Sequence, residues 1–129
     1  MACDAVAVPA VVRYIVRDVD DAVTFYVEAL GFELEQQYGP NMAILGRDGA
    51  TVWLAGPGAS ASKPMPDGAR PEPGGWARLV LIVDGLDPLV EDLRARGATF
   101  RNEILKGPGG SQILVEDPSG NCIELFEPA

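Results

Sequence analysis

Residues 113–128 read ILVEDPSGNCIELFEP. Two strand-like runs flank Asp117-Pro118 and Ser119-Gly120, the residue types of a tight reversal between antiparallel strands. The second run places a carboxylate, Glu124, among Cys122, Ile123, Leu125 and Phe126. A charge is costly to bury without a partner, and the chain holds no histidine that could serve as one.

Working outward, the hairpin has a counterpart. ILGRDGATVWL (44–54) lines up with VEDPSGNCIEL (115–125) at an offset of 71, which makes Trp53 the repeat partner of Glu124. Upstream the offset is 67: VVRYIVR (11–17) and RLVLIV (78–83) read as opening strands, and each precedes a helical stretch. The first helix carries Ala22, Phe25, Tyr26, Ala29 and Leu30 at helical spacing, with Asp20 as cap and Gly31 as stop. The second is DPLVEDLRARG, with Asp87 as cap, Pro88 at the first helical position and Gly97 as stop. Three strand candidates follow each helix, at 32–38, 41–46 and 50–55, then at 98–105, 111–116 and 121–126. The order is β-α-β-β-β, twice.

This predicts an N-terminal tail over 1–9, a first module over 10–55, a linker over 56–75 and a second module over 76–129. Half of the linker is proline or glycine, so no helix or strand is expected in it; it is expected to join the modules and overhang a site. Trp76, just after Gly74-Gly75, reads as an apolar anchor for its exit.

The chain's 129 residues suffice for one compact core. A net charge of −9 argues against nucleic acid, which needs clustered Lys and Arg, and against an anionic membrane surface. No apolar run is long enough to span a bilayer, and MACDAVAVPA lacks the pattern of a signal peptide. Cys3 and Cys122 sit in unlike contexts, so no disulfide and a reducing cytoplasm are expected.

Alternate strand residues share a face. With Ile123 and Leu125 on the helix side, Cys122, Glu124 and Phe126 point the other way, together with Thr51, Trp53 and Ala55. In the opening strands that second face holds Val11, Arg13 and Ile15, then Arg78, Val80 and Ile82. It is too apolar to be simply solvated. An α+β fold follows, its two modules forming a curled, cup-like mixed sheet with helices on the outer face.

This arrangement resembles the vicinal oxygen chelate superfamily, which includes glyoxalase I, extradiol dioxygenases and bleomycin-resistance proteins. The likeness rests on RYIVRDVDDAVTFYVEALGF, RLVLIVDGLDPLVEDLRARGATF and above all the D-P-x-G-x-x-I-E-L ending. It implies four metal-ligand positions, and here they hold Val11, Trp53, Arg78 and Glu124. Valine has no lone pair to offer, the indole N–H only donates, and arginine stays cationic. One ligand in four does not make a divalent-metal site, so neither metal nor other cofactor is expected. Since family members use positions 78 and 124 to hold one ion, the resemblance implies that Arg78 takes the missing cation's place beside Glu124. Either it offers spare N–H groups to a ligand or the two form an internal salt bridge.

The candidate ligand-binding residues are Val11, Arg13, Trp53, Arg78, Val80, Cys122, Glu124 and Phe126. Trp53 offers a stacking surface for a planar or aromatic small molecule. Cys122 has no histidine to activate it and reads as an inert small hydrophobe. Tyr38 is expected to border the cup, and the GPGG run at 107–110 to make a hairpin loop near it. The resemblance further implies a homodimer. Its leading functional reading is a metal-independent binding protein of the bleomycin-resistance type, sequestering an antibiotic or planar metabolite. A glyoxalase- or dioxygenase-like enzyme (lyase, isomerase or oxygenase) with an atypical site stays open. Glu124 would be its acid–base group, against which the neighbouring Arg78 counts. A partner-binding module without a small ligand is the third reading.

Overall fold

The computed structural model describes residues 9–129; most of the expected tail, with Cys3, lies outside them. The first half runs β1 (Val12–Ile15), α1 (Val19–Thr24), β2 (Glu33–Tyr38), β3 (Met42–Arg47) and β4 (Ala50–Ala55). The second runs β5 (Arg78–Ile82), α2 (Leu86–Ala95), β6 (Thr99–Phe100), β7 (Leu105–Gly107), β8 (Gly110–Glu116) and β9 (Cys122–Pro128). Two sheets result, ordered β1-β4-β3-β2 and β5-β9-β8-β6, with β7 also on β8. The fold is α+β with two modules, as the periodicity predicts, and each half forms its own unclosed sheet.

In both sheets the opening strand lies parallel to the closing one, and the register reproduces the two repeat offsets. Arg13 stands opposite Trp53 in the first, and Val80 opposite Glu124 in the second. The hairpin between β3 and β4 turns in two residues, Asp48 and Gly49, both with positive φ (46° and 85°). That left-handed pair matches the twist of the flanking strands and explains the Asp-Gly sequence.

Alternation also settles the core. Tyr14, Ala43, Leu45, Val52 and Leu54 of the first sheet and Leu81, Ile113, Val115, Ile123 and Leu125 of the second are buried in one cluster. Val19, Ala22, Tyr26 and Leu30 cover it from the first helix, and Leu86, Val90 and Leu93 from α2. Each fully buried apolar side chain contributes about 1.5–3 kcal/mol, so the shared core is what joins the halves. Tyr14 adds polar stitching: its hydroxyl donates to the Cys122 carbonyl (2.8 Å) and accepts from the Leu79 amide (2.9 Å).

The helix caps differ from expectation. Asp18, not Asp20, caps α1, its Oδ1 accepting from the Asp21 amide at 2.9 Å. The helix then continues as a π-helical turn over Phe25–Ala29, with Tyr26 turned inward. At the repeat-equivalent of Asp18 stands Gly85, in the left-handed conformation, and Asp87 makes no cap. Glu127 of β9 supplies the missing acceptor, its carboxylate taking the amides of Gly85 (2.9 Å) and Leu86 (3.1 Å). Those two donated bonds hold its acid below the usual carboxylate range.

The expected strand over 98–105 is split. Arg101 keeps a last backbone bond to the Leu114 carbonyl (3.0 Å), while its side chain donates to Glu116 (2.9 Å), the Gly75 carbonyl (2.7 Å) and the Gly120 carbonyl (2.9 Å). Asn102 accepts from the Leu114 amide instead. Trp76 is not buried; it is 68% exposed and lies against the Arg101 guanidinium, 4.5 Å from ring centre to Cζ. Within 56–75 a single 3₁₀ turn forms at Ser60–Ser62, which the composition did not predict.

The Asp117–Asn121 turn owes its form to buried polar contacts. Asp117 Oδ1 accepts from the amides of Ser119 and Asn121, while Oδ2 accepts from the Tyr26 hydroxyl and the Asn121 side-chain amide. Asn121 also donates to the Ile15 carbonyl and accepts from the Gly74 amide, and the Ser119 hydroxyl accepts from the Arg17 amide. The motif that marks the fold is thus a clasp between the second hairpin, the first half and the end of the linker.

Candidate functional site

On the face of the first sheet away from the core lies a groove of about 510 Å³. Its floor is built by alternation: Met42 and Ile44 of β3, Trp53 of β4 and Arg13 of β1 project on the side opposite Ala43, Leu45, Val52 and Tyr14. Tyr38, Asn41 and the linker residues Gly58, Ala59 and Ser60 form its rim. Arg13 lies over the Trp53 ring, Cζ 5.0 Å from its centre. Such a cation–π contact holds the guanidinium against the indole and engages none of its N–H donors.

The corresponding face of the second sheet carries Arg78, Val80 and Ile82 of β5 beside Cys122, Glu124 and Phe126 of β9. Arg78 Nε donates to Glu124 Oε1 at 3.0 Å. Glu124 is 8% exposed, and Val80 and Leu114 flank it in register. Cys122 is fully buried, and burial pushes its thiol above its ordinary value. Val80 and Ile82 are 43% and 60% exposed. The candidate residues therefore form two groups, one per sheet: Arg13 with Trp53, and Arg78 with Glu124, Val80 and Phe126. Val11 stands exposed just ahead of β1.

A divalent cation does not fit these donors. No group of three or more metal-ligating His, Cys, Asp or Glu side chains occurs among the described residues, and a guanidinium already sits on Glu124. Arg78→Ala should leave that carboxylate nearly buried without a partner. Breaking wholly buried pairs costs about 3–5 kcal/mol; with Arg78 partly exposed, about 1–2 kcal/mol is expected here in urea unfolding. The double change Arg78→Met with Glu124→Leu should recover most of it. A single variant no less stable than the wild type would show that the pair is not structurally coupled.

A family model, Glyoxalase/Bleomycin resistance protein/Dioxygenase superfamily, matches residues 8–125. The chain belongs to that superfamily. A solved superfamily member from Sphaerobacter thermophilus is 32% identical over 95% of this chain and 98% of its own, with a TM-score of 0.75. TnmS3, an antibiotic binding protein from a Streptomyces species, is 27% identical over 97% and 98%, with a TM-score of 0.73. A lactoylglutathione lyase from Agrobacterium tumefaciens has the same TM-score at 19% identity over 94% and 92% of the two chains, a likeness of fold. None of the curated protein sequences matches.

Met42 and Ile44 are not among the candidates read from the sequence, although their alternation with the apolar Ala43 and Leu45 is a signal that could have placed them on the groove face. Asn41 and the 58–60 segment carry no periodic signal that would place them there.

Proposed function

We propose that this superfamily member is a metal-independent small-molecule binding protein of the resistance type, holding an antibiotic or planar metabolite. The observation that carries this is Trp53, lying under Arg13 in an open groove where the other half has the carboxylate Glu124. An indole binds planar rings, not metal ions. The likeness to TnmS3 over nearly the whole chain supports the same reading.

We further infer a homodimer, supported by the exposed Val80 and Ile82 around the Arg78–Glu124 pair, a surface suited to cover by a second copy. No described helix is long and apolar enough to cross a membrane. A cytoplasmic location suits the free, buried thiol of Cys122.

The test is a thermal-shift screen of untagged protein against planar aromatic compounds and, separately, nickel, zinc, iron and manganese. Planar compounds are expected to raise the melting temperature and the metals to leave it unchanged. A single metal that stabilises the fold at one ion per chain would remove the metal-independent reading.

A further inference from the structure

The groove's lining has a charge character opposite to that of the molecule around it. The chain carries a net charge of −9, yet the groove is lined by one cation, Arg13, and no carboxylate. Three other cavities differ, although a smaller one beside β7 also has one cation, Lys106, and no carboxylate: Asp21 and Glu28 line one beside the first helix, and Glu103 lines one near Arg101. Asp18 and Asp20 border the adjoining notch. These two are occupied, Asp18 by the helix cap and Asp20 by the Gln37 side chain at 2.7 Å.

Among the described residues Arg13 makes no ion pair or hydrogen bond, whereas Arg47, Arg78, Arg94, Arg96 and Arg101 each lie against a carboxylate. Arg13's one described partner is the indole ring, which holds the guanidinium at the groove without consuming its donors. A planar fork held in this way matches a carboxylate or another planar oxyanion. Around it, Trp53, Tyr38, Met42 and Ile44 form apolar and aromatic walls. The volume of about 510 Å³ lies within the range of drug-sized ligands.

Resting on the small-molecule reading above, we propose that the groove is selective for planar aromatic anions. The ring lies between Tyr38 and Trp53 above Met42 and Ile44, and the acid group meets Arg13. Asn41 and Ser60 at the rim are the neutral polar groups available to a carbonyl or hydroxyl on the same molecule. The molecule's overall field favours cations, so a preference for anions has to arise locally at Arg13.

Calorimetric titration of the full chain with naphthoate, naphthamide and naphthylmethylammonium isolates charge on one ring system. Naphthoate is expected to bind at least about tenfold more tightly than the ammonium, the scale of one charge-assisted hydrogen bond. Arg13→Gln should weaken naphthoate about tenfold and change naphthamide by less than about threefold, whereas Arg13→Lys should retain part of the preference. Trp53→Leu should weaken all three, with an unchanged circular dichroism melt showing that the fold is kept. The ammonium binding as tightly as naphthoate, or Arg13→Gln leaving naphthoate unaffected, would overturn the anion preference while leaving small-molecule binding intact. Failure of all three probes to bind would remove both.

Discussion

Replacing Asp117 by alanine is expected to lower the free energy of unfolding by about 4 kcal/mol. The side chain is 4% exposed and accepts four hydrogen bonds, all between 2.9 and 3.0 Å. Its removal leaves the amides of Ser119 and Asn121, the Tyr26 hydroxyl and the Asn121 side-chain amide without that acceptor, at about 1–3 kcal/mol for each group that finds no other partner. Water entering the gap and relief from burying a carboxylate offset part of the sum. Asp117→Asn should be milder, about 1–2 kcal/mol, because its carbonyl can still take the two backbone amides while its NH₂ faces other donors. Urea unfolding measures both. A loss below about 1 kcal/mol for the alanine variant would mean that the clasp is not what couples the hairpin to the first half. Since Asp117 does not line the groove, the variant should bind ligand unchanged wherever it is folded.

That clasp illustrates how far the sequence could be read. The spacing of Asp117, Ser119, Gly120 and Asn121 announces a turn, and resemblance makes the stretch diagnostic. That its carboxylate receives the hydroxyl of Tyr26, 91 positions away, lies beyond any local rule. The repeat offsets of 67 and 71 were legible because a strand pair preserves its register even when side chains diverge. They placed Arg13 and Trp53, and Arg78 and Glu124, on the faces where the structure has them. The helix caps were harder. Asp18 and Asp20 both offer an acceptor, and only the backbone turn chooses between them. At the second helix the acceptor comes from Glu127 on a distant strand, so the nearby Asp87 misled. Linker residues 58–60 reach the groove by tertiary packing, without a periodic pattern to show it. That the two sheets stay separate within a chain is likewise a matter of how the halves share their core, since alternation only says which face is buried.

Raising the pH above about 10 is expected to destabilise the protein steeply, through two tyrosines that bind the halves together. Burial pushes the Tyr14 hydroxyl up from 10.0 to about 12, against the opposing pull of the Leu79 amide that donates to it. Tyr26 is likewise raised well above 10.0, by burial first and then by the charge of Asp117 beside it. In the unfolded chain both ionise near pH 10, while the folded protein keeps both protons. Between those limits the unfolded state binds fewer protons, so stability falls with rising pH by about 1.4 kcal/mol per pH unit for each such group. The contribution of Tyr14 is fully present below pH 10 and is lost by about pH 12, a change of about 3 kcal/mol. Urea midpoints measured from about pH 8.5 to about pH 11.5 should trace that slope. The double variant Tyr14→Phe with Tyr26→Phe should start from lower stability, since the Leu79 amide, the Cys122 carbonyl and Asp117 each lose a partner. It should nevertheless show a flatter pH profile. Equal alkaline slopes for the wild type and the double variant would mean that the lost stability comes from other groups. The two tyrosines would then hold the halves together through packing rather than through protons retained in the core.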